Sequence, residues 1–212
     1  ELQRQLQQQN AKNGVVIVME VKTGYIKAIS SLSKGVDGAY YETFNHAIGS
    51  KEVPGSTFKL ASLMALLEDK KVSVHDKVDA NGKYRFYDVE MTDHDGGFGK
   101  ITIQEAFEKS SNVFSKIVYD AYKTNPTGFI SRLRSFGIGD TLGLPMRGEV
   151  EPVMYYPGHA NWSGISLPWM AVGYEVQMTP LQTLAFYNAV ANNGRFMKPQ
   201  FVKEIRRGQE LV

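Results

Sequence analysis

The sequence predicts an α/β protein of the α+β kind, with a short antiparallel sheet beside a mainly helical region. Three observations carry that reading. Val15-Val16-Ile17-Val18-Met19 and Tyr25-Ile26-Lys27-Ala28-Ile29 are apolar, β-branched runs separated by a turn at Lys22-Thr23-Gly24, the pattern of a hairpin. Phe58 to Leu67 is apolar on nearly every side, the pattern of a helix buried in a core. Thr102-Ile103-Gln104-Glu105 and Thr179-Pro180-Leu181-Gln182 each set a threonine before a helix with Glu or Gln three residues on, so that orphan amides are satisfied at the helix start.

In chain order, residues 1–12 read as a linker or a frayed helix, since Glu1 to Asn10 is polar apart from Leu2 and Leu6, four apart. Residues 13–212 read as one domain. After the hairpin, Ser30 to Gly38 reads as a Gly- and Ser-rich loop, and Phe44-Asn45-His46-Ala47-Ile48 leads to the buried helix, which ends near Lys70-Lys71. From Asp76 to Phe98 small strands alternate with turns such as Asn81-Gly82. The helix opened by Thr102 ends at Lys109, and a second runs from Val113 to about Lys123, so Ser110-Ser111-Asn112 falls at a break between two helices. Beyond Asn125-Pro126 another helix stops at Gly137-Ile138-Gly139. Thr141 to Pro168 is a long Gly- and Pro-rich excursion, of the kind that serves a site or is anchored by aromatics such as Trp162 and Trp169. A last helix runs from Thr179 to Asn193-Gly194, and Phe201-Val202-Lys203-Glu204-Ile205 reads as a strand.

Composition excludes several classes. At 212 residues and 42% hydrophobic, the chain can bury one sizeable core. A net charge of +2, with the basic residues scattered, is no nucleic-acid surface. No stretch approaches the ~20 apolar residues that cross a bilayer. Without cysteine there is neither a disulfide framework nor a thiolate metal site. Asp93-His94-Asp95-Gly96-Gly97 invites a metal reading, but it lacks the remaining positions of a calcium loop, so a hydrogen-bonded polar loop is the better expectation.

The residues that point to chemistry are Ser56 and Lys59, in Pro54-Gly55-Ser56-Thr57-Phe58-Lys59. Lys59 is the only charge on its apolar helix. Burial there withdraws the hydration its ammonium form needs, which lowers its pKa and makes a neutral amine available as a base. Ser56, one helical turn away on the same face, is the hydroxyl such a base can activate. A helix cap with a lysine that buries only its stem explains the same two residues. Ser31-Leu32-Ser33-Lys34 has the same spacing but runs into Gly35-Val36-Asp37-Gly38, where nothing desolvates the lysine, so it reads as a decoy.

Ser56-Thr57-Phe58-Lys59 followed by Ser110-Ser111-Asn112 resembles the penicillin-binding, penicilloyl-serine transferase superfamily. Glu52-Val53-Pro54-Gly55, Gly24-Tyr25-Ile26-Lys27-Ala28, Gly173-Tyr174-Glu175-Val176 and Ala191-Asn192-Asn193-Gly194 look like the transpeptidase domain of these proteins, most like the septal, cell-division class B members. The resemblance implies the β-lactamase/transpeptidase-like fold and a D,D-transpeptidase that cross-links peptidoglycan and is a target of β-lactams. It implies Ser56 as nucleophile, Lys59 as base, and Ser110 as the group that passes a proton toward the leaving amine. Asn112 is implied to bond the substrate amide and hold Lys59. No metal or organic cofactor is implied. The implied partners are peptidoglycan stem peptides, β-lactam antibiotics and cell-division proteins, with an extracytoplasmic site of action and a membrane anchor at the N-terminus of the parent protein.

The family's third motif, Lys-Thr-Gly or Lys-Ser-Gly on a late strand, is not matched. Lys22-Thr23-Gly24 lies upstream of the nucleophile and reads as the hairpin turn, with Gly24 supplying a special backbone angle. The expectation is a C-terminally truncated domain with an incomplete sheet. Two alternatives stand beside the transpeptidase: a β-lactamase or D,D-carboxypeptidase of the same fold, and a non-catalytic scaffold of the wall or division machinery. Acyl-enzyme lifetime separates the first from a transpeptidase. A lysine on an apolar helix beside a serine has no purpose in the second.

Overall fold

Val15, Ile17 and Met19 alternate with Val16 and Val18, and that period of two decides which face of strand β1 (Asn13–Met19) is covered. In the computed structural model, which describes residues 1–208 and 210–211, β1 pairs antiparallel with β2 (Ile26–Lys34), placing Val15 opposite Ser31 and Ile17 opposite Ile29. A short β3 (Tyr40–Tyr41) completes the sheet in the order β1-β2-β3. The chain divides into two compact units: residues 1–52, 140–152 and 178–212, and residues 53–139 and 153–177. The reason is visible in their separate apolar centres.

The first unit is centred on the hairpin. Val15, Ile17 and Ile26 pack on Ala47 and Ile48 of α2 (His46–Gly49) and on Leu181 of α8 (Pro180–Ala191). Helix α8 opens with the anticipated capping box, the Thr179 hydroxyl accepting from the Gln182 N–H at 3.1 Å and the Gln182 side chain accepting from the Thr179 N–H at 2.8 Å. Gly24 has φ +78°, and a side chain there would stand 2.5 Å from the Lys198 carbonyl. Its own carbonyl accepts from the Gln200 N–H at 2.9 Å, so only glycine allows both the turn and this close approach.

Three expectations for this unit need correction. Residues 1–12, read as a linker or a frayed helix, hold a helix that is docked rather than frayed: α1 (Leu2–Gln8) buries Leu6, whose tip lies against Gly14, and the Tyr40 hydroxyl donates to the Ala11 carbonyl at 2.6 Å. Two leucines on one turn suffice to dock a helix this short where a glycine leaves room. Ser31-Leu32-Ser33-Lys34 is strand, not loop, because β2 continues across the partners β1 offers up to Asn13. In a strand, residues three apart face opposite ways, so Ser31 and Lys34 cannot cooperate. Phe201 to Ile205 forms no strand. Gln200 makes a single bridge to Tyr25, and pairing resumes only at β10 (Arg206–Arg207) with β11 (Glu210–Leu211).

The second unit is helical around α3 (Lys59–Glu68), whose Ala61, Ser62, Leu63, Ala65 and Leu66 are buried, as the all-round apolar run predicts. Helices α4 (Ile103–Glu108), α5 (Val113–Tyr122), α6 (Pro126–Ser135) and α7 (Ser166–Met170) belong to it. Two small antiparallel pairs join them: β4 (Lys77–Ala80) pairs with β7 (Gly99–Thr102), and between them in the chain β5 (Lys83–Phe86) pairs with β6 (Val89–Thr92). The chain from β8 (Val153–Met154) returns to pair with β9 (Val176–Gln177), and Trp169 packs edge-on against Phe86. The end of α3 is tied down by Tyr122, whose hydroxyl lies 2.7 Å from Asp69 Oδ2 and 3.1 Å from the Ala65 carbonyl, while Arg132 Nε donates to Asp69 at 2.8 Å. Burial and the carboxylate both push the Tyr122 phenol well above its usual range, so it stays a donor. Tyr122→Phe is expected to cost about 2 kcal/mol, the worth of a buried bond to a charged acceptor, read from the midpoint of urea unfolding.

Candidate active site

Ser56 does not lie on the α-helix itself. It sits in a 3-10 turn, Gly55–Phe58, that runs straight into α3 at Lys59. Gly55 takes φ +56°, and its N–H donates to the Gly173 carbonyl at 3.2 Å, which fixes where the turn begins. In a 3-10 turn side chains at i and i+3 eclipse one another, so Ser56 and Lys59 leave the backbone on one side. Ser56 is exposed and Lys59 is 1% exposed, an open serine one turn from a buried lysine.

The amine has defined partners. Lys59 Nζ donates to the Ser110 carbonyl and stands 3.2 Å from Ser110 Oγ. Burial pushes its pKa down from 10.5 to about 8, and the negative charge of Asp93 pulls the other way. A substantial fraction is therefore neutral just above pH 7, as a base requires.

Ser110 reaches the amine through backbone geometry that serine rarely adopts. Helix α4 closes with the Ser111 N–H bonded to the Ala106 carbonyl and the Ser110 N–H bonded to the Phe107 carbonyl, both at 2.9 Å, the paired bonds of a Schellman end. The residue at that position takes a left-handed conformation and is usually glycine. Ser110 holds φ +52°, at a cost on the order of 1 kcal/mol. Glycine would relieve it but would carry no hydroxyl to set beside Lys59.

Asn112 differs from expectation. Its side-chain amide donates to the Thr92 carbonyl at 2.8 Å and does not hold Lys59, which is held by Ser110. Asn112 stands at the first residue before α5 with its backbone N–H turned toward Asp93, and that turns the side chain to the end of β6.

Sequence reasoning missed Asp93 and Tyr84. Asp93 is 6% exposed and sits beneath the break: Ser111 Oγ donates to its Oδ2 at 2.7 Å, the Tyr84 hydroxyl to the same oxygen at 3.0 Å, and the Asn112 N–H to Oδ1. The Asp93 N–H in turn donates to the Gly82 carbonyl at 2.9 Å. Asp93 was noticed only as part of an acidic cluster, and nothing in the spacing to Ser110 signals contact. Its neighbours His94 and Asp95 pair with each other on the surface. Among the described residues no three His, Asp or Glu side chains converge as a metal site would need, and no helix is long and apolar enough to cross a membrane.

An α+β chain in which a Ser-x-x-Lys turn opens a buried helix, with its lysine held by the first serine of a Ser-x-Asn helix break, is the mark of the active-site-serine penicillin-recognising class. The chain belongs to the penicillin-binding protein transpeptidase domain family, whose model matches residues 14–210. It is 28% identical to penicillin-binding protein PbpB of Mycolicibacterium smegmatis over 91% of this chain and 30% of that protein. It thus spans about a third of the length of such relatives. The fold is similar to the apo transpeptidase domain of Burkholderia pseudomallei penicillin-binding protein 3, with a TM-score of 0.82 at 23% identity over 100% of this chain and 59% of that one. It is also similar to penicillin-binding protein 3 of Mycobacterium tuberculosis complexed with aztreonam, with a TM-score of 0.75 at 26% identity over 91% of this chain and 45% of that one.

Proposed function

We propose that the chain is the acyl-transfer domain of a septal-type peptidoglycan D,D-transpeptidase and a target of β-lactams. The observation that carries the proposal is a buried Lys59 amine, pKa about 8, one 3-10 turn from the exposed Ser56 hydroxyl and bonded to Ser110. The neutral amine takes the Ser56 proton as Oγ attacks the penultimate D-alanine carbonyl of a stem peptide. Ser110, between Lys59 and the substrate, passes the proton to the departing D-alanine nitrogen, leaving an acyl-enzyme on Ser56. The amine of a neighbouring stem peptide then attacks the ester, Lys59 takes its proton, and Ser56 is regenerated. Asn112, whose side-chain nitrogen is taken by the Thr92 carbonyl, would meet the acyl chain's amide N–H through its side-chain oxygen. The substrate lies outside the cytoplasmic membrane, so the domain works there on an anchored parent, among cell-division proteins.

The test is covalent labelling of the full-length protein with fluorescent penicillin. Label is expected on the peptide containing Ser56, and Ser56→Ala is expected to lose it entirely with its unfolding midpoint unchanged. Label on another residue, or none, overturns the assignment of the nucleophile.

A further inference from the structure

We propose that Asp93 is a positioning residue for acyl transfer, its carboxylate clamping the Ser111 to Asn112 break from below and supplying the counter-charge to the Lys59 ammonium. This rests on the acyl-transfer reading above.

Three donors from two segments meet on this one buried carboxylate: the Tyr84 hydroxyl of β5, and from the break the Ser111 hydroxyl and the N–H of Asn112. Ser111 is itself fully buried, and its oxygen accepts from the Val113 N–H at 3.1 Å, so the clamp extends into the first turn of α5. Ser110 is one peptide unit from these anchors and holds a left-handed conformation it would leave if released. Whatever fixes Ser111 and Asn112 therefore fixes where the Ser110 carbonyl and hydroxyl stand against Lys59 Nζ.

The clamp alone does not need a charge. Hydroxyls donate or accept, so an asparagine at 93 could accept from the Asn112 N–H and donate to Ser111 or Tyr84. A buried carboxylate without a cation in direct contact is costly, and its long-range partner here is Lys59. Ser110 from the break touches the amine, and Asp93, the residue after β6, acts on it through its charge alone. Tyr84 stands behind Asp93 with its phenol raised by burial, so it stays uncharged. Removing the Asp93 charge makes the ammonium harder to hold, so the neutral amine should form at lower pH.

The experiment compares wild type, Asp93→Asn and Asp93→Ala in the full-length protein, following the acylation rate with fluorescent penicillin against pH and hydrogen exchange at the Asn112 amide. Asp93→Asn is expected to fold, keep the Asn112 amide protected and move the acid limb of the rate profile down by about one pH unit. Asp93→Ala is expected to lose that protection and to acylate about 10²-fold more slowly across the range, as loss of positioning does. An unshifted limb in Asp93→Asn overturns the counter-charge, and a protected amide with wild-type rate in Asp93→Ala overturns the clamp. If Asp93→Ala does not fold, Asp93→Asn decides by its limb. Failure of the wild type to acylate at Ser56 refutes the proposed function instead, and exchange at Asn112 still decides the clamp.

Discussion

Replacing Lys59 by methionine is expected to end acylation of Ser56 while removing a pH dependence from the stability of the domain. Methionine matches the length and apolar stem of lysine and fits a site that is 1% exposed. The variant lacks the proposed base, and a loss of at least 10²- to 10⁴-fold is the scale on which general bases act. The stability effect follows from linkage. The lysine titrates near 10.5 when unfolded and at about 8 when folded. Below pH 8 both states carry the proton, and the folded state bears the full cost of a buried charge. Between pH 8 and 10.5 the folded state has released the proton and the unfolded state has not, so stability rises. Above 10.5 the penalty is gone. The rise is about 3 kcal/mol on a shift of this size. Urea unfolding at pH 7 and at pH 10, wild type against Lys59→Met, reads it as a difference that cancels other titrating groups. At pH 7 the methionine variant gains that amount less about 1 to 2 kcal/mol for the bonds to Ser110 it gives up. Parallel pH curves for the two proteins would remove the depressed amine, and with it the base.

How much of this was legible before folding depends on the range of the interactions. Ser56, Lys59 and the break at Ser110 to Asn112 are local signals: an apolar helix with one charge, a capping box, and a triplet where one helix stops before another starts. The two capping boxes were legible for the same reason, since Thr102 with Glu105 and Thr179 with Gln182 satisfy each other within a single turn. The 3-10 geometry at Ser56 was not, because it depends on a backbone approach from Gly173, far along the chain. Asp93 was invisible as a site residue, since its partners Tyr84, Ser111 and Asn112 are 9, 18 and 19 positions away and obey no helical or strand period. Asn112 was assigned a contact with Lys59 that belongs to Ser110. Motif spacing says which residues gather, while the αL turn at Ser110 decides which atoms of them touch. The ends of the chain misled for another reason. Polar composition at residues 1–12 hid two docked leucines, Leu2 and Leu6, and the Phe201 to Ile205 run lacks a strand to pair with among the described residues.

The second large effect is expected at Gly173, which touches no substrate. It has φ +89°, and an added Cβ would lie 2.0 Å from the Gly55 carbonyl oxygen and 2.7 Å from its nitrogen. Both obstacles are backbone, so no side-chain rotation relieves them. The segment cannot simply slide away, since two residues earlier the Ala171 carbonyl accepts from the fully buried Ser62 hydroxyl at 2.7 Å, and the Gly173 carbonyl accepts from Gly55 itself. Ordinary van der Waals contact begins near 3.4 Å, so Gly173→Ala must part the two segments by about 1 Å at the residue before Ser56. Overpacking of this kind costs about 3 kcal/mol of stability, and a 1 Å displacement at the reacting group costs about 10²-fold in rate. Gly137→Ala is the control. Gly137 is also left-handed, with φ +78°, but has nothing within 4 Å of an added Cβ. It should lose only the conformational term, about 1 kcal/mol, and acylate as wild type does. Thermal unfolding and penicillin acylation of the two variants side by side separate backbone preference from close approach. Equal losses at the two glycines would mean that the contact between Gly173 and Gly55 does not hold Ser56 in place, and that the turn is set within Pro54 to Lys59 alone.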